Sequence, residues 1–327
     1  MHAIRLHAFG PAENLRYEEV DDPGPGPGQV WIAVAAAGVH LIDTAIRAGR
    51  PQGPLPLPEL PAIPGREVAG VVDALGPDTD AGLLGRRAVT HLGVASGGYA
   101  ELAVGGADSL HAIPDGLADD VAVAAIGTGR TAIAILEVAE LRADDVVLVT
   151  AAASGLGTLL VQAGRNAGAT VVGVAGSEAK VARAREQGAT IAIDYTARDW
   201  SARVREALDG REVTVALDGV GGELGRAALE LVGPGGRLVL FGSASGDLTP
   251  LTVGDLFARG LTVSAAIGAR IMRRPGGLRD LEEQALAAAA SGRLVPLVGQ
   301  RFPLAEAASA HAAIEARATV GKTVLVP

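Results

Sequence analysis

One stretch, residues 145–195, narrows the possible folds more than any other. It begins with a β-branched apolar run at 146–149 (VVLV), the composition of a strand buried on both faces. A turn of small residues follows (Ala151, Ala152, Ala153, Ser154, Gly155, Leu156, Gly157), then a helical pattern to about Gly168. Residues 170–174 predict a second strand and 177–187 a second helix. Strand, small-residue turn, helix, strand is the unit that binds dinucleotides, because the helix N-terminus offers unpaired N–H groups and a positive dipole end to a pyrophosphate. The strict G-x-G-x-x-G spacing is not kept. Ala152 and Ser154 hold the first two glycine places and Gly157 the third, while Gly155 adds a permissive backbone position. A plain packing turn remains the alternative.

The residues after the second strand bear on which dinucleotide is bound. A site for NAD usually places Asp or Glu there to bond the ribose 2′-hydroxyl. Here Gly176 and Ser177 stand in that place, with Lys180 one turn later and no carboxylate before Glu178. A hydroxyl, helix N–H groups and an ammonium suit a 2′-phosphate, which a carboxylate would repel. The expected cofactor is NADPH rather than NADH. An ordinary N-cap at Ser177 followed by a solvated lysine uses the same letters.

Composition excludes several other classes. The 327 residues suffice for two domains, and 49% hydrophobic content supports a core in each. A net charge of −9 without a basic run, and only 3% aromatic residues, argue against nucleic acid and acidic membrane surfaces as partners. The chain has no cysteine, which removes disulfides, thiolate nucleophiles and cysteine-based zinc sites. The opening MHAIRLHAFG lacks the apolar core of a signal peptide, and no stretch of membrane-span length is free of glycine or charge. The expectation is a cytoplasmic protein.

Residues 1–122 read as β-rich, with apolar runs at 29–35, 68–74, 87–91 and 99–104 broken by Pro and Gly turns. PGPGPG at 23–28 is a rigid turn, and the proline-rich 51–64 is expected to form a loop over the site. From 123 a long apolar helix leads into alternating strands (146–149, 171–174, 191–193, 213–217, 237–241, 261–264) and helices, the count of a doubly wound parallel sheet. The tail adds helices at 281–291 and 304–316 and a last strand at 323–326. The expected domains are 123–266 for NADPH binding and 1–122 completed by 267–327, a β-domain built from both chain ends.

Ten segments occur in an order that resembles the medium-chain dehydrogenase/reductase superfamily, and within it the zinc-free quinone oxidoreductase, zeta-crystallin-like branch. They are GVHLIDTAIRAG (38–49), PGREVAGVV (64–72), GGYAEL (97–102), IPDGL (113–117), GRTA (129–132), AAASGLG (151–157), GSEAK (176–180), DGVGG (218–222), FGSASG (241–246) and FPLAEAASAHAAIEARATVGKTVLVP (302–327). The resemblance implies an α/β fold, a Rossmann sheet plus a GroES-like β-rich catalytic domain. It also implies NADPH-dependent hydride transfer to a quinone or α,β-unsaturated ketone. Zinc-dependent relatives resemble G-V-C-H-x-D and G-H-E where this chain reads GVHLID (38–43) and Gly65-Arg66-Glu67, and Arg66 puts a fixed cation in a ligand position. No metal is expected. Without a Lewis acid an alcohol is hard to deprotonate, whereas a conjugated acceptor needs only positioning and donors at its oxygen.

The same resemblance distributes roles. His40 takes the place of an asparagine beside the nicotinamide, so it is expected either to donate to the acceptor or merely to cap a turn. An imidazole also titrates near neutrality, which gives a pH-dependent rate. Asp43 is expected to anchor the local turn. Arg66 has Glu67, Asp43, an anionic substrate group or open solvent as candidates. Cofactor contacts are implied for Thr131, Ser154, Gly155, Leu156, Gly157, Gly176, Ser177, Lys180, Tyr195, Phe241, Gly242, Ser243 and Arg317. His2, His7, His91, His111 and His311 receive no chemistry. Ala45, in place of the family's aromatic residue, leaves room for a bulky acceptor. Two other functions stay open: an enoyl-thioester reductase of polyketide type using Arg270, Arg273 and Arg274, and a non-catalytic, crystallin-like NADPH-binding protein. Family habit implies a homodimer through 261–266.

Overall fold

A computed structural model describes residues 1–51 and 56–327. Of the loop expected at 51–64, residues 52–55 lie outside the described residues. The chain divides into two compact units. One comprises Met1–Thr128, Ala285–Ala290 and Val295–Pro327, and the other Gly129–Gln284 and Ser291–Leu294.

The first unit is β-rich. It begins with the hairpin β1 (His2–Leu6) and β2 (Leu15–Glu19), continues through β3 (Gln29–Val39), α1 (Leu41–Arg47), β4 (Glu67–Leu75), β5 (Arg87–His91), β6 (Leu102–Gly106) and β7 (His111–Ala112), and reaches α2 (Asp119–Ala124). The second unit starts with α3 (Arg130–Ala139) and alternates β8 (Val146–Val149), α4 (Gly155–Asn166), β9 (Thr170–Ala175), α5 (Glu178–Gln187), β10 (Ile191–Asp194), α6 (Trp200–Leu208), β11 (Val213–Asp218), α7 (Gly222–Leu231), β12 (Val232–Leu240), α8 (Val253–Arg259) and β13 (Thr262–Ala265). After α9 (Ala269–Met272) and α10 (Gly277–Ala290), the chain returns to the first unit for β14 (Val298–Pro303), α11 (Ala307–Glu315) and β15 (Lys322–Val326).

The second unit is the doubly wound sheet. Its parallel strands run β10-β9-β8-β11-β12-β13, the order in which the chain reverses direction between β8 and β11. Val146, Val147, Leu148 and Val149 are all buried, which is why β8 reads as an unbroken apolar run. Ligands of such sheets bind in the crevice at the carboxyl ends of the strands beside the reversal, so the turns after β8, β11 and β12 are the ones to inspect.

The first unit takes its order from β14-β15-β3-β4-β5-β7, with β6 also pairing β3. The last strand pairs antiparallel with β3 through Thr323 opposite Val39, and β3 pairs β4 through Ala37 opposite Val68. Extending each register by one residue brings Lys322 to His40 and Glu67 to Gly38. Three adjacent strands thus carry three ionisable groups to one spot, although they are distant in sequence.

The expected domain edges move. Residues 267–284 stay with the second unit because Arg274 pairs with Glu137 and Asp280 (2.5 Å each) and Arg130 with Glu282 (2.6 Å). Residues 123–128 join the first, where Val123, Ala125 and Ile126 pack with Ala36, Ala69 and Val89. The helix expected from 123 is interrupted by a wide turn at Ala125–Gly129. The stretch Asp119–Ala139 has the length and mean hydropathy (1.6) of a membrane span, but 67% of that window is buried inside the protein.

Candidate active site

The turn after β8 is shaped by contacts that leave no room for larger residues. Ala151 adopts φ +48°, in the left-handed region. A Cβ on Gly157 would lie 2.2 Å from the Ala151 carbonyl oxygen, so glycine alone fits the first turn of α4. Ser154 is the N-cap of α4, its hydroxyl accepting from the Gly157 N–H at 3.0 Å. Gly155 and Leu156 form the first turn of the helix. The second strand ends in a similar manner: Ser177 caps α5 and accepts from the Lys180 N–H at 3.3 Å. Tyr195 follows β10, and its hydroxyl would lie 2.8 Å from a Cβ on Gly176. Gly176, Ser177, Lys180 and Tyr195 therefore gather at one strand end.

The turns after β11 and β12 complete this edge of the sheet. The fully buried Asp218 accepts from Thr150 Oγ1 (2.8 Å), Thr249 Oγ1 (2.6 Å) and the Val220 N–H (2.9 Å). Its carboxylate ties the end of β8 to the turn after β11. Phe241 packs on Gly219, where a Cβ would meet its ring at 2.3 Å, and Gly242 lies close to the Gly219 backbone. Ser243 follows them. Thr131 sits in the first turn of α3 in this same unit, while Arg317 lies in the other unit, just after α11, with φ +54°.

In the first unit the three strands build a buried polar island. His40 is the N-cap of α1, and its N–H donates to Asp43 Oδ2 at 2.8 Å. Its Nε2 lies 2.7 Å from Glu67 Oε1 and 2.9 Å from Lys322 Nζ, and Lys322 also pairs with Glu67. Nε2 can either donate to Glu67 or accept from Lys322, according to the ring's tautomer. Glu67 is wholly buried and Lys322 nearly so. Gly38 is required beside them, because a Cβ there would lie 1.9 Å from Glu67 Oε1. Arg66 Nε donates to Asp43 Oδ1 at 3.2 Å, which selects Asp43 from its candidate partners. On the far side, the Tyr99 hydroxyl donates to Asp43 Oδ2 (3.4 Å) and lies 3.1 Å from His311 Nε2, with the two rings edge to face.

Burial and charge set the ionisation of several members of this island. Burial pushes Asp43 up, but the His40 imidazole, the Arg66 guanidinium and the His40 N–H outweigh it and hold the carboxyl below its usual range. Glu67 follows the same logic more strongly, with His40 and Lys322 overcoming burial. Burial lowers Lys322, an effect Glu67 offsets only in part. Burial raises Tyr99 well above its ordinary value. His311 is pushed down to about 4 by burial, with Asp43 opposing and Arg47 assisting.

Comparisons with known proteins identify the family. Residues 26–115 match the alcohol dehydrogenase GroES-like domain, and residues 155–288 match the zinc-binding dehydrogenase model. A quinone oxidoreductase of Pseudomonas aeruginosa is 35% identical over 99% of both chains. The chain belongs to the quinone oxidoreductase branch of the medium-chain dehydrogenase/reductase family. A 2-haloacrylate reductase of a Burkholderia species is also 35% identical, over 99% of this chain and 98% of that one. The crystal structure of Escherichia coli quinone oxidoreductase complexed with NADPH superimposes with a TM-score of 0.87, at 29% identity over the full length of both.

The zinc in the second model's name does not suit the residues of this branch member. His40 and Glu67 already share the Lys322 ammonium, and the neighbouring position is the Arg66 guanidinium. Two fixed cations would repel a third. NADPH, in contrast, suits the cofactor unit. The close approach at Gly157, the capped N-termini of α4 and α5, and the absence of a carboxylate at Gly176-Ser177 form a cradle for phosphates. Sequence reasoning missed Glu67, Tyr99, His311 and Lys322 as members of the island. A lysine opening an otherwise apolar terminal strand (KTVLV) was the one available signal, since lysine is rarely buried unless paired.

Proposed function

We propose that this protein reduces a quinone or an α,β-unsaturated ketone with NADPH. The observation that carries the acceptor half is the island at Arg66, a guanidinium fixed by Asp43 where zinc-dependent relatives carry a metal ligand. Bound NADPH supplies the hydride. Gly155 and Leu156 hold its pyrophosphate through N–H groups, with Ser154 capping the helix and Gly157 giving the room for close approach, and Ser177, Lys180 and Tyr195 hold its 2′-phosphate. Thr131, Phe241, Gly242 and Ser243 serve the nicotinamide half, and the family resemblance assigns Arg317 to the cofactor as well.

Arg66 holds the acceptor oxygen as negative charge develops on it, work for which a preorganised cation needs no rearrangement. Asp43 fixes Arg66. His40 presents its ring to the site while Glu67 and Lys322 hold Nε2, so its contribution is orientation and polarity at the acceptor rather than a freely swinging donor. The protein acts as a homodimer through β13. That strand ends the sheet order, so its outer edge lacks a strand partner among the described residues, and Val253 and Phe257 on the preceding helix are highly exposed. A monomer mass in solution refutes the dimer.

Enoyl-thioester reduction is the second reading. It is favoured by a hollow of about 600 Å³ lined by Ala134, Val138, Ile271, Arg270 and Arg273, large enough for a pantetheine arm. NADPH oxidation measured against a para-quinone, an ortho-quinone, a simple enone and a crotonyl thioester, with NADH as control, tests both readings. Turnover of quinone or enone with NADPH preferred upholds the first, and turnover of the thioester alone upholds the second. Silence across the panel with NADPH bound leaves the non-catalytic role.

A further inference from the structure

We propose that Asp218 is a positioning residue for the dinucleotide: its buried carboxylate fixes the spacing between the turn that takes the pyrophosphate and the turns that take the nicotinamide half. The inference rests on the cofactor assignments above and is independent of the choice of acceptor. Asp218 is the last residue of β11, beside the reversal of the sheet, and it is fully buried. The pairing of β11 with β8 ends at Leu217 opposite Val149. Past that point side chains carry the connection. Oδ1 accepts from Thr150 Oγ1 (2.8 Å) and the Val220 N–H (2.9 Å), and Oδ2 from Thr249 Oγ1 (2.6 Å) and the Gly221 N–H (3.2 Å). Thr150 Oγ1 in turn accepts from the Gly219 N–H at 3.1 Å.

These donors are all neutral, and a carboxylate buried without a cation is costly unless its lone pairs are met. They also come from the ends of β8, β11 and β12 rather than from one loop. Thr150 stands immediately before the phosphate turn at 151–157, and Thr249 lies in the loop that opens at Phe241. The backbone extends the same platform. The Phe241 N–H donates to the Asp218 carbonyl (2.9 Å), the Ala244 N–H to that of Gly219 (3.1 Å) and the Ser245 N–H to that of Val220 (2.9 Å). Packing allows the carboxylate little freedom, because a Cβ on Gly225 would lie 2.4 Å from both Asp218 Oδ2 and Thr249 Oγ1. An asparagine cannot replace it. Either orientation of the amide sets an NH₂ group against a backbone N–H, that of Val220 or that of Gly221. The turns then separate, and a misplacement of about 1 Å at a reacting centre can cost about 100-fold in rate.

The test uses full-length wild type, Asp218→Asn and Thr249→Val. Calorimetry compares the binding of NADPH with that of adenosine 2′,5′-bisphosphate, which carries the 2′-phosphate and one pyrophosphate phosphorus but no nicotinamide. The fragment should bind all three proteins within about twofold, while NADPH binds about tenfold more weakly to Asp218→Asn and about fivefold more weakly to Thr249→Val. With a para-quinone or an enone and saturating NADPH, Asp218→Asn should lose about 100-fold in kcat with the acceptor's KM changed by less than about threefold. Equal weakening of fragment and NADPH, or NADPH binding as tight as in wild type, overturns the proposal. If Asp218→Asn does not fold, as read by chemical denaturation, Thr249→Val decides, since it removes one donor and leaves the carboxylate its other three. If wild type reduces no acceptor, the reductase reading fails, and the binding comparison still decides the role of Asp218.

Discussion

The cofactor turn of the second unit and the polar island of the first solve opposite problems. The turn uses small residues to bring backbone N–H groups into the open, and its letters, 151–157, are contiguous. The island gathers two buried carboxylates, a buried ammonium and a partly exposed guanidinium, drawn from α1, β4, β15 and the residue just before β4. A backbone cradle needs space and is damaged by added atoms. A buried charge cluster needs balance and is damaged by losing a member. The chemistry follows the same division, with the turn suited to an anion that arrives from outside and the island to charge that develops during reaction.

The largest expected effect breaks the balance. Lys322→Met leaves the wholly buried Glu67 without its ammonium and should cost about 3–5 kcal/mol of stability, read by chemical denaturation. The double variant Lys322→Met, Glu67→Gln should recover much of that loss. If the single change costs under about 1 kcal/mol, Glu67 is not held as a charge.

Next in size is a pH effect confined to the island. Folded His311 takes up a proton only near pH 4, against 6.5 for an ordinary histidine. As pH falls through this window the unfolded chain gains a proton that the native state refuses. Stability that is fully present above 6.5 is therefore lost, by about 3 kcal/mol at pH 4. The depressed Asp43 and Glu67 add their own losses at still lower pH. Denaturation midpoints from pH 7 to 4 should show this slope in wild type and lack most of it in His311→Phe. An unchanged slope in that variant removes His311 as its cause.

The comparison then turns to added atoms. Gly157→Ala places a methyl 2.2 Å from a carbonyl oxygen, so α4 must shift at a cost of about 1–3 kcal/mol. NADPH affinity should fall at least about tenfold, measured by quenching of protein fluorescence. The smallest effect is expected at the other end of the cofactor. Lys180→Ala should reduce the preference for NADPH over NADH by about tenfold in kcat/KM, with NADH values nearly unchanged. A loss shared equally by both cofactors would separate Lys180 from the 2′-phosphate.

The same contrast explains what could be read in the letters. The doubly wound sheet was legible because each strand is a short apolar run and each turn a local cluster of small residues. The resemblance at 38–49 and 64–72 led to His40, Asp43 and Arg66. Their partners were not legible, because Lys322 meets His40 only through the pairing of the first unit's terminal strand with β3. His311 looks like any helical histidine until α11 is packed against Tyr99. The domain edge at 284 was hidden for a similar reason, since the ion pairs of Arg274 and Arg130 have no sequence period.

The most direct measurement of the central claim is the initial rate of NADPH oxidation with a para-quinone and an enone, using chelator-treated full-length protein. The expected result is turnover that persists after chelation, gains nothing from added zinc and favours NADPH over NADH. Turnover that appears only when zinc is restored, or none at all while NADPH binds, would contradict a reductase that relies on Arg66 in place of a metal.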